Sequence, residues 1–260
     1  MPVFQTTISD GVAEITLSRP ELLNRFDEEL HTALPDLLED LNRNKDVRAI
    51  VLASTGPVFS AGGDFELILK SHGDLTSRIA SHERGKRLLR SVVDVHAPVI
   101  VALHADVYGV GATIVLSSDA VVSTPGVKIA DPHVRVGLVA GDGGAVAWPA
   151  AAGLMRARRY LLTGDPVLAE DAYQWGMITD LVDSADDVLP AARKLARRIA
   201  GLAPLAVQGT KRSLSRLANA RIYEVLDYSF AQQAITSASE DVVEAIDAFK
   251  GKRQPKFSGR

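Results

Sequence analysis

The chain has 260 residues, 47% of them hydrophobic and 23% charged, with 29 Lys and Arg against 32 Asp and Glu. That is globular composition with room for one large core, and a net charge of −3 offers no basic surplus to a nucleic-acid partner. Cysteine is absent, which excludes disulfides, thiolate nucleophiles and cysteine-ligated metal centres and fits a reducing compartment.

The N-terminal residues carry neither the basic nor the apolar region of a signal peptide, and the longest apolar runs, such as 98–103, fall far short of the roughly 20 residues of a membrane span. A soluble, cytoplasmic chain without a membrane partner is expected. Residues 3–8 and 12–17 read as strands split by the turn Ser9-Asp10-Gly11. Residues 28–42 place Leu30, Leu34, Leu37, Leu38 and Leu41 at helical spacing, with Pro35 marking a kink or a late start. Buried-type strands follow at 49–53, 99–103 and 120–123, with a basic helix at 78–93. From Gly143 onward the pattern is Ala-rich and helical almost to the end, so the fold class is α/β with a helical C-terminal region.

Two short segments set backbone amides where an anion would be stabilised. Phe59-Ser60-Ala61-Gly62-Gly63-Asp64 follows the 49–53 strand, and its small residues permit close approach of a ligand. Tyr108-Gly109-Val110-Gly111-Ala112-Thr113 opens a helical stretch at 113–116, where N–H groups point outward unpaired. It does not satisfy the dinucleotide pattern GxGxxG.

The first segment, continued by Phe65, resembles the FSAGxDL signature of the crotonase (enoyl-CoA hydratase/isomerase) superfamily. The turn at Gly109-Val110-Gly111 followed by Ser118-Asp119 is similar to that superfamily's second glycine segment. Arg19-Pro20…Asn24, Leu162-Thr163-Gly164, Ala169-Glu170-Asp171-Ala172, Gly176-Met177-Ile178 and the tail from Ala248 to Phe257 match it in order. The resemblance implies a crotonase-like spiral of ββα units over residues 1–200, then a helical oligomerisation and CoA-contacting region over 201–260. It further implies a homotrimer or dimer of trimers and an acyl-CoA substrate, with coenzyme A entering only as part of the thioester and no permanent cofactor. By motif position the N–H groups of Gly63 and Val110 form the oxyanion hole. Arg25, Ala61, Asp64, Phe65, Phe249 and Lys252 line the path of the CoA moiety, the last two reaching the nucleotide of a neighbouring subunit.

The chain departs from the family at both glutamate positions of its hydratases, which fall on Thr113 and His133. Threonine has no accessible pKa for base catalysis near neutrality. His133 and Asp142 offer a replacement pair, similar to the His/Asp branch of the superfamily that includes oxocamphor hydrolase; an Asp oriented on one ring nitrogen leaves the other for proton transfer. The bland readings are that Asp142 caps the helix beginning near Gly143 and that His133 is structural. The remaining histidines (His31, His72, His82, His96 and His104) are expected on the surface or in packing, and no His/Asp/Glu cluster has metal spacing. The expected function is acyl-CoA processing by enolate stabilisation, with β-diketone C–C hydrolysis or non-catalytic acyl-CoA binding as the alternatives.

Overall fold

A computed structural model describes residues 2–260. The chain opens with β1 (Phe4–Ser9) and β2 (Val12–Leu17), an antiparallel pair in which Ser9 faces Val12. Asp10 and Gly11 between them both have positive φ, as a two-residue hairpin turn following the strand twist requires. Then come α1 (Glu28–Arg43), β3 (Ala49–Ser54), α2 (Phe65–Gly73), α3 (Leu75–Asp94), β4 (Val99–Leu103), β5 (Val107–Tyr108), α4 (Val110–Leu116), β6 (Ala120–Ser123) and β7 (Lys128–Ala130). The rest is α5 (Gly144–Ala152), α6 (Leu154–Leu161), β8 (Val167–Leu168), α7 (Ala169–Gln174), β9 (Asp180–Leu181) and four helices, α8 (Ala185–Ala200), α9 (Pro204–Arg221), α10 (Asp227–Ser237) and α11 (Glu240–Lys250).

The main sheet has the order β1-β2-β3-β4-β6-β9, parallel from β2 onward; a smaller sheet has the order β5-β7-β8. Both faces of the main sheet are covered, so β3 as far as Ala53 and all of β4 are apolar rather than alternating. Val51 and Ala53 point to a layer built by Val188, Ala192, Ala196 and Ala200 of α8. Ile50 and Leu52 point the other way, onto Leu30, Leu34 and Leu38 of α1 and Leu88 and Val92 of α3. The fold is the crotonase-like α/β arrangement.

Three details correct the sequence expectations. Asp27 accepts a hydrogen bond from the Leu30 amide at 3.0 Å and starts α1 at Glu28, so the helix does not start late at Pro35 but runs through it. Residues 65–73, unassigned from the pattern, form α2, because Asp64 caps them by accepting from Glu66 N at 3.1 Å. The helix after Gly109 begins at Val110 rather than Thr113, which makes Val110 its first residue. Near the C-terminus, α9, a π-helical stretch at Ile222–Leu226 and α10 form one continuous rod. Ile222, Leu226 and Phe230 of this rod pack on Leu89, Val93 and Val146. The next helix, α11, buries Val242 and Ile246 against Leu138 and the partly buried Phe65, Ile68 and Leu69.

Candidate active site

Short parallel pairings bring the separate motifs to one place. Phe26 bridges Gly63, Ser60 bridges Val107, and Tyr108 is in register with Ala130. Phe26 N donates to Gly62 O at 2.8 Å, Tyr108 N to Ser60 O at 3.0 Å, and Gly109 N to Ala130 O at 2.9 Å. Segments from four distant parts of the chain thus run side by side and end together. Gly62 (φ 85°) makes this possible: a Cβ there would lie 2.9 Å from the Tyr108 carbonyl oxygen. Upstream, Arg19 clamps Asp27 with both guanidinium arms at 2.7 and 2.8 Å, and Asn24 Nδ2 donates to Thr55 O at 2.7 Å. These contacts explain the Arg19…Asn24 signature: it holds the turn that delivers Arg25 and Phe26.

The two expected oxyanion amides are free. Val110, as the first residue of α4, has no intrahelical acceptor, and among the described residues neither its N–H nor that of Gly63 donates to a protein acceptor. The Val110 side chain is buried in the main core while also bordering the cavity.

The next strand over, β7, leads into Asp131-Pro132-His133. The imidazole of His133 bridges two carboxylates: Nδ1 bonds Asp131 Oδ1, and Nε2 lies 3.2 Å from Asp142 Oδ2. A Cβ placed on Gly109 would sit 3.7 Å from His133 Cε1 and 4.0 Å from Gly63 N, so the ring lies close to the Gly63 amide. Burial would push the His133 pKa down, but the charges of Asp131 and Asp142 and their hydrogen bonds raise it well above its ordinary value. Burial likewise would raise Asp142, and the charge and hydrogen bond of His133 outweigh it and hold the carboxyl below its usual range. His133 and Asp142 each favour their charged form in the other's presence. Ligand atoms of the three residues lie within 4.8 Å of one another. Because the ring spends opposite nitrogens on the two carboxylates, their oxygens face the ring and not one another, an arrangement suited to shared protons rather than to one cation.

Asp142 is not the N-cap residue of α5, a position that falls on Gly143, although the amide of Gly144 at the start of that helix helps to hold its carboxyl below the usual range. One of its oxygens, Oδ1, has no partner, and the residue lines a cavity of about 80 Å³ together with Gly63, Asp64, Val110 and His133. Thr113, at the other glutamate position, is completely buried, its hydroxyl unpaired and outside the cavity lining.

Several site residues escaped the sequence reading. Asp131 is 1% exposed; the only signal was an Asp-Pro pair, which usually marks a turn. His31 and His82, expected in packing or on the surface, both line the cavity, a correction that arises because α1 and α3 cross beside it. Burial lowers the pKa of each, with Lys86 and Arg78 adding to the effect at His82. Gln233 of α10 also lines it, 8% exposed, and its amide has no protein partner among the described residues. His72, His96 and His104 make backbone or surface hydrogen bonds, in line with the expectation.

Of the residues assigned to the CoA path, Asp64 lines the cavity and the other five do not. Arg25 Nε is 3.6 Å from Asp64 Oδ2, Ala61 is exposed beside Gly62, and Phe65 meets Phe249 edge-on with ring centroids 5.2 Å apart. That last contact lies within one chain. Phe249 remains 67% exposed, and Lys252, two residues past α11, is exposed as well.

The fold and the paired free amides define a member of the crotonase superfamily. Residues 7–260 match the enoyl-CoA hydratase/isomerase family, and the chain belongs to it. It is 31% identical over 97% of both chains to a 1,2-epoxyphenylacetyl-CoA isomerase of Escherichia coli (strain K12). An enoyl-CoA hydratase/isomerase structure from Mycobacterium paratuberculosis superposes with a TM-score of 0.90 at 30% identity, covering 95% of this chain and 98% of that one. A β-diketone hydrolase from the cyanobacterium Anabaena sp. PCC 7120 shares the fold with a TM-score of 0.83 at 24% identity, covering 91% and 94%.

Proposed function

We propose that the protein is an acyl-CoA isomerase working through a thioester enolate, with Asp142 as the proton carrier. The observation that carries this reading is the carboxylate of Asp142, whose partly exposed side chain lines the same cavity as the open amides of Gly63 and Val110. A 1,3 shift of a double bond needs one base. Asp142 takes a proton from the carbon beside the thioester carbonyl, and the C–H electrons move onto the thioester oxygen, held by the two amides. The enolate then collapses through its double bond and takes the same proton back two carbons further along. Fixed amides stabilise the oxyanion without reorganising, and loss of one such donor typically costs about 10²–10³ in rate. His133, held by Asp131, keeps Asp142 ionised and oriented.

Arg25, Ala61, Asp64, Phe65, Phe249 and Lys252 hold the CoA moiety in this reading, the lysine through phosphate charge. Coenzyme A is a substrate component and not a resident cofactor, and the enzyme works in the cytoplasm as a trimer or dimer of trimers. Engagement of both His133 nitrogens weighs against the β-diketone hydrolase reading, which needs one of them free for the substrate.

The test supplies straight-chain and aryl-substituted 3-enoyl-CoAs and follows the conjugated-enoyl absorbance. The expected result is conversion to 2-enoyl-CoA by the wild type and a loss of at least about 10²-fold in Asp142→Asn, the range general acid–base catalysis supplies, with unchanged thermal unfolding. A fully active Asp142→Asn overturns the assignment; CoA binding without any conversion points to a silent binding protein, and no CoA affinity to a hydrolase.

A further inference from the structure

We propose that His31 is a second acid–base residue of this site, presenting Nε2 to the acyl group from the α1 wall, so that the enzyme also adds water to the conjugated thioester that isomerisation yields. The proposal rests on the thioester reading above and goes beyond it in naming a second residue and a second reaction.

His31 is held as a proton acceptor should be. Its Nδ1 lies 2.9 Å from the Asp27 carbonyl oxygen. A carbonyl only accepts, so Nδ1 carries the proton and Nε2 keeps its lone pair. Asp27 itself cannot drift: Arg19 grips both its oxygens and the Leu30 amide donates to one of them. The ring edge packs on Phe26, with centroids 5.6 Å apart and planes at 73°, which fixes its plane. Nε2 has no protein partner among the described residues, and the residue lines the cavity. Burial keeps the imidazole below its ordinary pKa even though the Asp27 carbonyl and Asp142 favour its charged form and Arg84 opposes it; it is neutral near pH 7.

The cavity is therefore lined by His31, whose Nε2 has no protein partner among the described residues, and by the partly exposed carboxylate of Asp142. At about 80 Å³ it has room for a water, which needs roughly 10–15 Å³ and at least two polar contacts. Such a water donates one hydrogen to each acceptor and turns its lone pairs to the substrate. Its oxygen adds to carbon 3 of a 2-enoyl thioester, one of its protons passes to His31 Nε2, and the other remains as the product hydroxyl. The π electrons move to the thioester oxygen on Gly63 and Val110. Collapse of that enolate draws a proton onto carbon 2 from Asp142, which has received it from His133 Nε2. His31 then releases its proton to solvent and His133 takes one back, completing the cycle with one water consumed. His31 thus fills the role left open by Thr113, from a different element.

The experiment measures both reactions on the same preparation, isomerisation of 3-enoyl-CoAs and hydration of 2-enoyl-CoAs, over straight-chain and aryl-substituted acyl groups. His31→Gln and His31→Asn are expected to lower hydration by about 10²-fold or more and the ratio of hydration to isomerisation at least tenfold. Partial unfolding lowers both rates and leaves that ratio in place. In His31→Ala, added imidazole is expected to restore part of the hydration rate. A wild type that isomerises but hydrates nothing, or variants that keep the wild-type ratio, overturn the role of His31 and leave that of Asp142 standing. A wild type that does neither overturns both.

Discussion

His133 spends both ring nitrogens on buried carboxylates, and the cost of that arrangement is visible in pH rather than in geometry. Its folded pKa is raised above the unfolded value near 6.5, so its contribution to stability is complete below about pH 6.5 and is lost as pH rises through the folded value. His31 and His82, whose pKa values are lowered, act with the opposite sign and only below that point. Unfolding free energy is therefore expected to fall above about pH 6.5 by at most about 1.4 kcal/mol per pH unit, and His133→Gln is expected to lack that decline. Denaturant titrations from about pH 6.5 to 9 check it; a wild type with no slope would mean a neutral ring in the folded state. Among single residues, Gly63, Val110, His133 and Asp142 were legible because each sits at a fixed offset from a motif. Asp131 and His31 were not, since one resembles a turn residue and the other an ordinary member of an amphipathic helix.

At the scale of elements, the cavity is closed by helices remote in sequence. Phe230 of α10 is buried against Gly85 of α3, where a Cβ would lie 2.8 Å from the ring, and it lies tilted against His82 with centroids 5.1 Å apart. A cavity of about 80 Å³ is small beside the roughly 300–1,000 Å³ of most ligand sites, so Phe230 sets how much acyl group enters. Phe230→Leu is expected to move the preference toward longer or bulkier acyl groups, read as kcat/KM across a chain-length series; an unchanged order would remove Phe230 from the wall. The leucine is chosen because Phe→Ala in a core costs about 3–5 kcal/mol. Periodicity foretold that α10 is a helix. It did not foretell the π-helical stretch at Ile222–Leu226, nor that this rod ends beside the loop before Asp142, where Val139 N donates to Thr236 Oγ1.

For the whole molecule, the outer surface of the C-terminal rod is unusually apolar. Leu214 and Leu217 of α9 are 60% and 70% exposed. Leu214 and Leu217 also border a groove of about 940 Å³ shared with Leu154 and Val146. Contiguous exposed apolar surface of this kind marks an interaction site. The trimeric assembly proposed above covers it, and Leu214→Asp with Leu217→Asp is expected to yield monomers by sedimentation velocity. A wild type that sediments as a monomer at micromolar concentration would leave that face to another partner.

The sequence by itself determined the strands, most helices, the family and the four residues that its motifs index, because those follow from local periodicity and from glycines that only a close approach of chain segments requires. Tertiary structure alone decided the pairing of His133 with Asp131, the unpaired oxygen of Asp142, and the arrival of His31 and Phe230 at one cavity. The physical reason is that a buried charge is defined by the partners it meets. Those partners come from α1, α3, β7 and α10, whose meeting is a property of packing and not of spacing.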